Sequence, residues 1–134
     1  MKCFLIDDDE DDRDIFALAL LKANAESNCI TATNGEDALD LLRKQSDFIP
    51  DYIFLDLNMP LMDGRACLSE LRKQARLDTV PIIIFTTSSY SKDIEDTLNL
   101  GASHYLVKPT SLNELVSILT SFFEGKLSGY RLSL

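Results

Sequence analysis

Five short apolar runs punctuate the chain: Cys3–Ile6, Cys29–Thr33, Tyr52–Leu55, Ile82–Phe85 and Tyr105–Val107. Between them the apolar positions change to helical spacing. Phe16, Ala19, Leu20 and Ala23 follow i, i+3, i+4, i+7, and Ala38, Leu41 and Leu42 repeat this over a shorter span. Leu68, Leu71 and Ala75 form a third stripe, and Leu112, Leu115, Val116, Leu119, Phe122 and Phe123 form the longest one. The segment 91–99 carries the weakest stripe, with Ile94 and Leu98 as its only clear anchors, and is expected to be the least firmly packed helix. Strand and helix therefore alternate five times. Such alternation predicts an α/β domain, doubly wound, with a parallel sheet and helices on both faces. Strands buried on both faces read as continuous apolar runs, as the first, third and fourth do. Residues 29–33 are more polar and suit an edge strand.

Composition narrows the function. A chain of 134 residues with 46% hydrophobic content is one globular domain with a real core. No apolar run is long enough to span a membrane, and the first one meets Asp7 too soon for a secretory signal. Net charge is −9, but residues 7–14 alone hold seven acids and one base. The remainder is nearly balanced, so the charge is a local feature that needs its own explanation. A surface of this sign argues against direct DNA binding. Cys3, Cys29 and Cys67 are odd in number and lie among apolar neighbours, so they read as small buried hydrophobes in a reducing compartment. The chain is expected to be cytoplasmic.

In an open parallel sheet, ligands bind outside the carboxyl ends of the strands. Asp7 and Asp8 follow the first run, Asp56 the third, Thr86 and Thr87 the fourth, and Lys108-Pro109 the fifth. Three carboxylates, a hydroxyl and an ammonium would thus share one edge. Clustered carboxylates repel unless a cation sits among them, and hard oxygen ligands suit Mg²⁺. An aspartate beside that cation can act as a nucleophile towards phosphorus, with Lys108 and Thr86 holding phosphoryl oxygens. Taken singly, each residue has a plainer reading. Glu10, Asp11, Asp12 and Asp14 suit the start of a helix, where acids favour the dipole. Lys108 alone would be a surface lysine, and Gly64 and Pro109 turn residues. Their joint occurrence at corresponding strand ends favours the phosphoryl site. Rival motifs fail: an EF-hand from Asp7 would need Gly and Glu where Asp12 and Leu18 stand, and no glycine-rich phosphate loop occurs. A phosphatase of the Asp-x-Asp type would want a second acid where Asn58 stands.

Four segments in order carry a family resemblance: Phe4-Leu5-Ile6-Asp7-Asp8, Phe54 through Gly64, Pro81 through Ser88, and Gly101 through Pro109. Together they resemble the receiver domain of two-component response regulators, over nearly the whole chain. The Thr86-Thr87-Ser88 run is similar to that of stand-alone, single-domain receivers of the chemotaxis type, including those that partner phytochrome kinases. The resemblance implies a flavodoxin-like (βα)5 sheet of strand order 2-1-3-4-5, a receiver domain over residues 1–125, and a tail, 126–134, too short to be an output domain. It implies that Asp56 accepts a phosphoryl group from a sensor histidine kinase or histidine phosphotransfer protein. Asp7, Asp8, Asp56 and the backbone carbonyl of Asn58 would hold Mg²⁺ or Mn²⁺. Thr86 and Lys108 would bind the phosphoryl group, and Thr87 would flank it where the family usually has a smaller residue. Thr86 and Tyr105 would form the switch, Tyr105 moving into space that Thr86 vacates. A downstream protein would read the face of the fourth helix, fifth strand and fifth helix. The resemblance also implies a cis Lys108–Pro109 peptide, and a signalling protein rather than an enzyme with its own substrate. The alternative is a receiver-fold scaffold that works without phosphorylation.

Overall fold

The structure is a computed structural model that describes all 134 residues. The strands are β1 (Lys2–Ile6), β2 (Asn28–Ala32), β3 (Tyr52–Leu55), β4 (Ile82–Thr86) and β5 (His104–Val107). The helices are α1 (Glu10–Ala23), α2 (Gly35–Lys44), α3 (Gly64–Arg72), α4 (Ser91–Asn99) and α5 (Leu112–Phe123). All strand pairs are parallel, in the order β2-β1-β3-β4-β5. The doubly wound (βα)5 fold read from the alternation is therefore the fold of the chain.

Because a strand presents successive residues to opposite faces, the continuous apolar runs feed two cores. Phe4, Ile6, Ile53, Leu55, Ile82, Ile84 and Tyr105 pack under α2, α3 and α4. Leu5, Phe54, Ile83, Phe85 and Leu106 pack under α1 and α5. In the second core the Phe16 ring meets those of Phe54 and Phe85, with centroids 4.8 and 5.4 Å apart. Most helix starts are capped by a side chain: Asp9, Asn34, Asp63 and Ser111 each accept from an amide of the first turn of α1, α2, α3 and α5. α4 begins after Tyr90 with no side-chain cap.

Two stripes differ from the sequence reading. Leu98 is half exposed, and the residue that α4 buries is Thr97. The fourth helix is turned so that a hydroxyl with internal partners, not a leucine, faces the core. Ala75 lies beyond the end of α3, in a short 3-10 turn, Ala75–Leu77, whose buried residue is Leu77. Gly64 opens α3 where the chain returns to the end of β3. A Cβ there would stand 2.4 Å from the Asp56 carbonyl oxygen and 2.5 Å from Leu57 Cα. Only glycine allows α3 to start this close to the strand end.

Candidate functional site

The carboxyl ends of β1, β3, β4 and β5 bring the expected residues together. Asp7 is fully buried, Asp56 nearly so, and Asp8 is exposed. One carboxylate oxygen from each of the three lies within 4.8 Å of the others. Lys108 Nζ donates to Asp7 Oδ2 at 2.8 Å and to Asp56 Oδ2 at 3.4 Å. The amide of Asn58 donates to Asp56 Oδ1 at 3.3 Å, and the Asn58 carbonyl takes no hydrogen bond from within the chain. Thr86 is fully buried at the end of β4, while Thr87 is exposed beside it.

The sequence reading missed two contributors. Asp12 Oδ2 accepts from Lys108 Nζ at 2.8 Å, as short as the Asp7 bond. Asp12 had the ordinary explanation of an acid in a first helical turn. Its place in the first turn of α1, three residues after the N-cap Asp9 and directly behind the acidic pair, was the available signal. A second addition is Arg13, whose guanidinium donates to the Asp7 carbonyl at 2.9 Å and fixes the loop that carries the acidic pair.

Burial raises the Asp56 carboxyl above the usual aspartate range. Lys108 opposes this, Asp7 adds to it, and the Asn58 amide and Thr86 hydroxyl pull it back in part. For Lys108, burial works against the charge, but hydrogen bonds to Asp12 and Asp7 and the charge of Asp56 more than offset it, and the ammonium is held above its ordinary value. The site is thus three buried or half-buried carboxylates around one ammonium, with Asp8 exposed at the rim. A site this acidic is suited to a small hard cation, and an all-oxygen donor set matches Mg²⁺ or Mn²⁺.

One expectation meets a different geometry. The Lys108–Pro109 peptide is trans, as is every peptide bond of the chain. The trans form is the ordinary preference for X-Pro, and with it Lys108 already reaches three carboxylates. Tyr105, the aromatic member of the expected switch, is fully buried, and its hydroxyl donates to the Ser88 carbonyl at 2.8 Å.

Comparison with known proteins agrees with this geometry. The family model for the response regulator receiver domain matches residues 3–120. A probable transcriptional regulator, ycf27, of Porphyra purpurea is 38% identical over 120 residues, 90% of this chain and 46% of its own length. The chain spans about half the length of such curated relatives. The response regulator Rcp1 of a Synechocystis strain is 28% identical over 119 residues, with 81% of its length covered. Among solved structures, the phosphorylated cyanobacterial phytochrome response regulator RcpA aligns with a TM-score of 0.82 at 30% identity, covering 92% of this chain and 91% of its own. The Mn²⁺-bound form of Rcp1 aligns with a TM-score of 0.80 at 25% identity over 99% of both chains. The chain belongs to the response regulator receiver domain family, whose members act in two-component signalling. No helix is long and apolar enough to cross a membrane.

Proposed function

We propose that Asp56 is the phosphoacceptor of this domain. The phosphoryl donor is the phosphohistidine of a sensor histidine kinase or of a histidine phosphotransfer protein. The observation that carries this reading is the meeting of Asp7, Asp8 and Asp56 within 4.8 Å, with Lys108 Nζ bonded to two of them.

In the reaction an Asp56 carboxylate oxygen attacks phosphorus. The phosphorus–nitrogen bond to the donor imidazole breaks, its electron pair returns to that nitrogen, and the ring, already protonated on its other nitrogen, leaves as neutral imidazole. The nucleophile must be an anion, and Lys108 is the side chain that counters the burial of that charge. Lys108 and the Thr86 hydroxyl would take phosphoryl oxygens, and exposed Thr87 would line the approach. Asp7, Asp8, Asp56 and the Asn58 carbonyl would hold Mg²⁺ or Mn²⁺. When bound, the cation supplies neutralising charge to the transferring oxygens. Water later releases the phosphate and restores Asp56. On this reading the chain catalyses nothing beyond its own modification. The modified domain signals through protein contacts on the α4–β5–α5 face, with Thr86 and Tyr105 as its switch. The reading places the protein in the cytoplasm, without direct contact to DNA. The likeness to a phytochrome response regulator favours a phytochrome kinase as donor.

Incubation with acetyl phosphate and Mg²⁺, followed by intact mass, tests this. Wild type should gain the mass of one phosphoryl group, and Asp56→Asn should gain none. Equal labelling of both would move the acceptor elsewhere. No labelling of wild type would favour the phosphorylation-independent scaffold.

A further inference from the structure

The C-terminal segment 129–132 does not hang free. β5 is an edge strand, and such a strand presents a row of unpaired amides and carbonyls. Here the outward groups of Tyr105 are both taken. Its amide donates to the Tyr130 carbonyl at 2.7 Å, and its carbonyl accepts from the Leu132 amide at 2.8 Å. Arg131 lies opposite Tyr105 in a parallel bridge. The chain turns into this position at Gly129, whose φ of +86° lies in the left-handed region, and His104 Nδ1 donates to the Gly129 carbonyl at 2.8 Å.

The segment also closes a wall around Tyr105. The Tyr130 ring lies 6.2 Å from that of Tyr105, and its hydroxyl shares a 2.6 Å hydrogen bond with Thr97, the buried residue of α4. On the other side Leu132 is 3% exposed, in the core under α1 and α5. The hydrogen bonds continue towards the phosphoryl site. Tyr105 donates to the Ser88 carbonyl at 2.8 Å, and the Ser88 amide reaches Thr86 Oγ1 at 3.5 Å. Ser88 Oγ also bonds Asp93, which pairs with Arg65 on α3.

We propose that residues 129–132 are an intramolecular strap that pairs with the β5 edge at Tyr105 and holds Tyr105 in its buried position, and that this hold is coupled to phosphorylation of Asp56. The coupling half rests on the phosphoacceptor reading above. The physical basis is linkage. If the strap and the phosphoryl group both favour buried Tyr105, each strengthens the other by the same factor. A partner that reads the α4–β5–α5 face meets the strap as part of that face, because the edge groups of Tyr105 beneath it are already paired.

The double variant Tyr130→Ala/Leu132→Asp releases the strap. Tyr130→Phe removes only the hydroxyl that reaches Thr97 and keeps the ring, so it stays folded. Tetranitromethane nitration, mapped by peptide mass, reads tyrosine access, with Tyr90 at 76% exposure as the internal reference. In the full chain Tyr105 should resist nitration. In the double variant it should react at a rate approaching that of Tyr90. The steady-state level of phosphorylation by acetyl phosphate with Mg²⁺, measured below saturation, should fall about five-fold, and Tyr130→Phe should fall in between. Unchanged resistance of Tyr105 in the double variant would overturn the strap. Release of Tyr105 with unchanged phosphorylation would overturn the coupling. A wild-type chain that gains no phosphoryl mass would remove the acceptor reading instead, and the nitration result would still decide whether the strap holds Tyr105.

Discussion

α1 and α4 flank the same sheet on opposite faces, and they are held by different forces. α1 buries Phe16, Ala19 and Leu20 against Phe54, Phe85 and the apolar stripe of α5. α4 buries Thr97, packs Ile94 only in part, and lacks a side-chain cap at its start. Its ties are polar: Asp93 to Arg65 and Ser88, Asp96 to Arg65 at 3.7 Å, and Thr97 to Tyr130. Apolar burial is non-directional and costly to undo, whereas partly exposed ion pairs contribute little and can exchange partners. α1 is built as a fixed support, and α4 as an element that can shift at small cost. The candidate site lies between them, with Asp7 and Asp12 from the α1 side and Thr86 from the strand that leads to α4.

The contrast can be broken or sharpened by substitution. Phe16→Ala should cost about 3–5 kcal/mol in urea unfolding, because it empties an aromatic core. A cost under about 1 kcal/mol would mean that the α1 side is no firmer than the α4 side. Lys108→Ala leaves buried Asp7 and Asp56 without their cation and should cost about 3 kcal/mol at neutral pH. That defect should shrink as acid protonates the carboxylates, and a defect independent of pH would point to lost packing instead. Arg65→Ala should cost no more than about 1 kcal/mol globally, since the guanidinium is 31% exposed. It should nonetheless speed hydrogen exchange in α4 and leave α1 unchanged. Equal speeding in both helices would dissolve the distinction.

Asp56→Asn probes the site between the two helices. Burial raises the Asp56 carboxyl, so the folded chain holds that proton more tightly than the unfolded chain. The contribution of Asp56 to stability is therefore fullest below the ordinary aspartate value of about 3.9, and is lost as pH rises through the elevated folded value. Asp56→Asn should consequently be more stable than wild type at neutral pH, by on the order of 1 kcal/mol. That advantage should vanish below pH of about 3.9. An advantage growing in acid would reverse the sign of the argument. The smallest effect belongs to Leu98→Ala on the exposed side of α4, within about 0.5 kcal/mol of wild type by the same measurement.

Much of the site was legible in the sequence because strand ends are positions of known destiny. Once the apolar runs are read as parallel strands, the residue after each one must stand at the same edge of the sheet. Asp7, Asp56, Thr86 and Lys108 are therefore brought together by topology alone. Asp12 was not legible in the same way, because an acid in a first helical turn looks the same whether it meets water or an ammonium. The trans Lys108–Pro109 bond was not legible either, since the two isomers of an X-Pro peptide differ by only about 0.5–1 kcal/mol.

The alternation of apolar periods determined the element order, the two buried faces and the edge at which chemistry gathers, since burying those residues leaves few arrangements. Tertiary structure alone decided which face of α4 turns inward, which acid completes the grip on Lys108, and where residues 129–132 come to rest. These depend on distances between segments far apart in the chain. Tyr130, Leu132 and Leu134 alternate with Arg131 and Ser133, a strand period too short to name its own partner, and their place is set by the open hydrogen-bonding groups of Tyr105, which exist only after β5 has become the edge of a folded sheet.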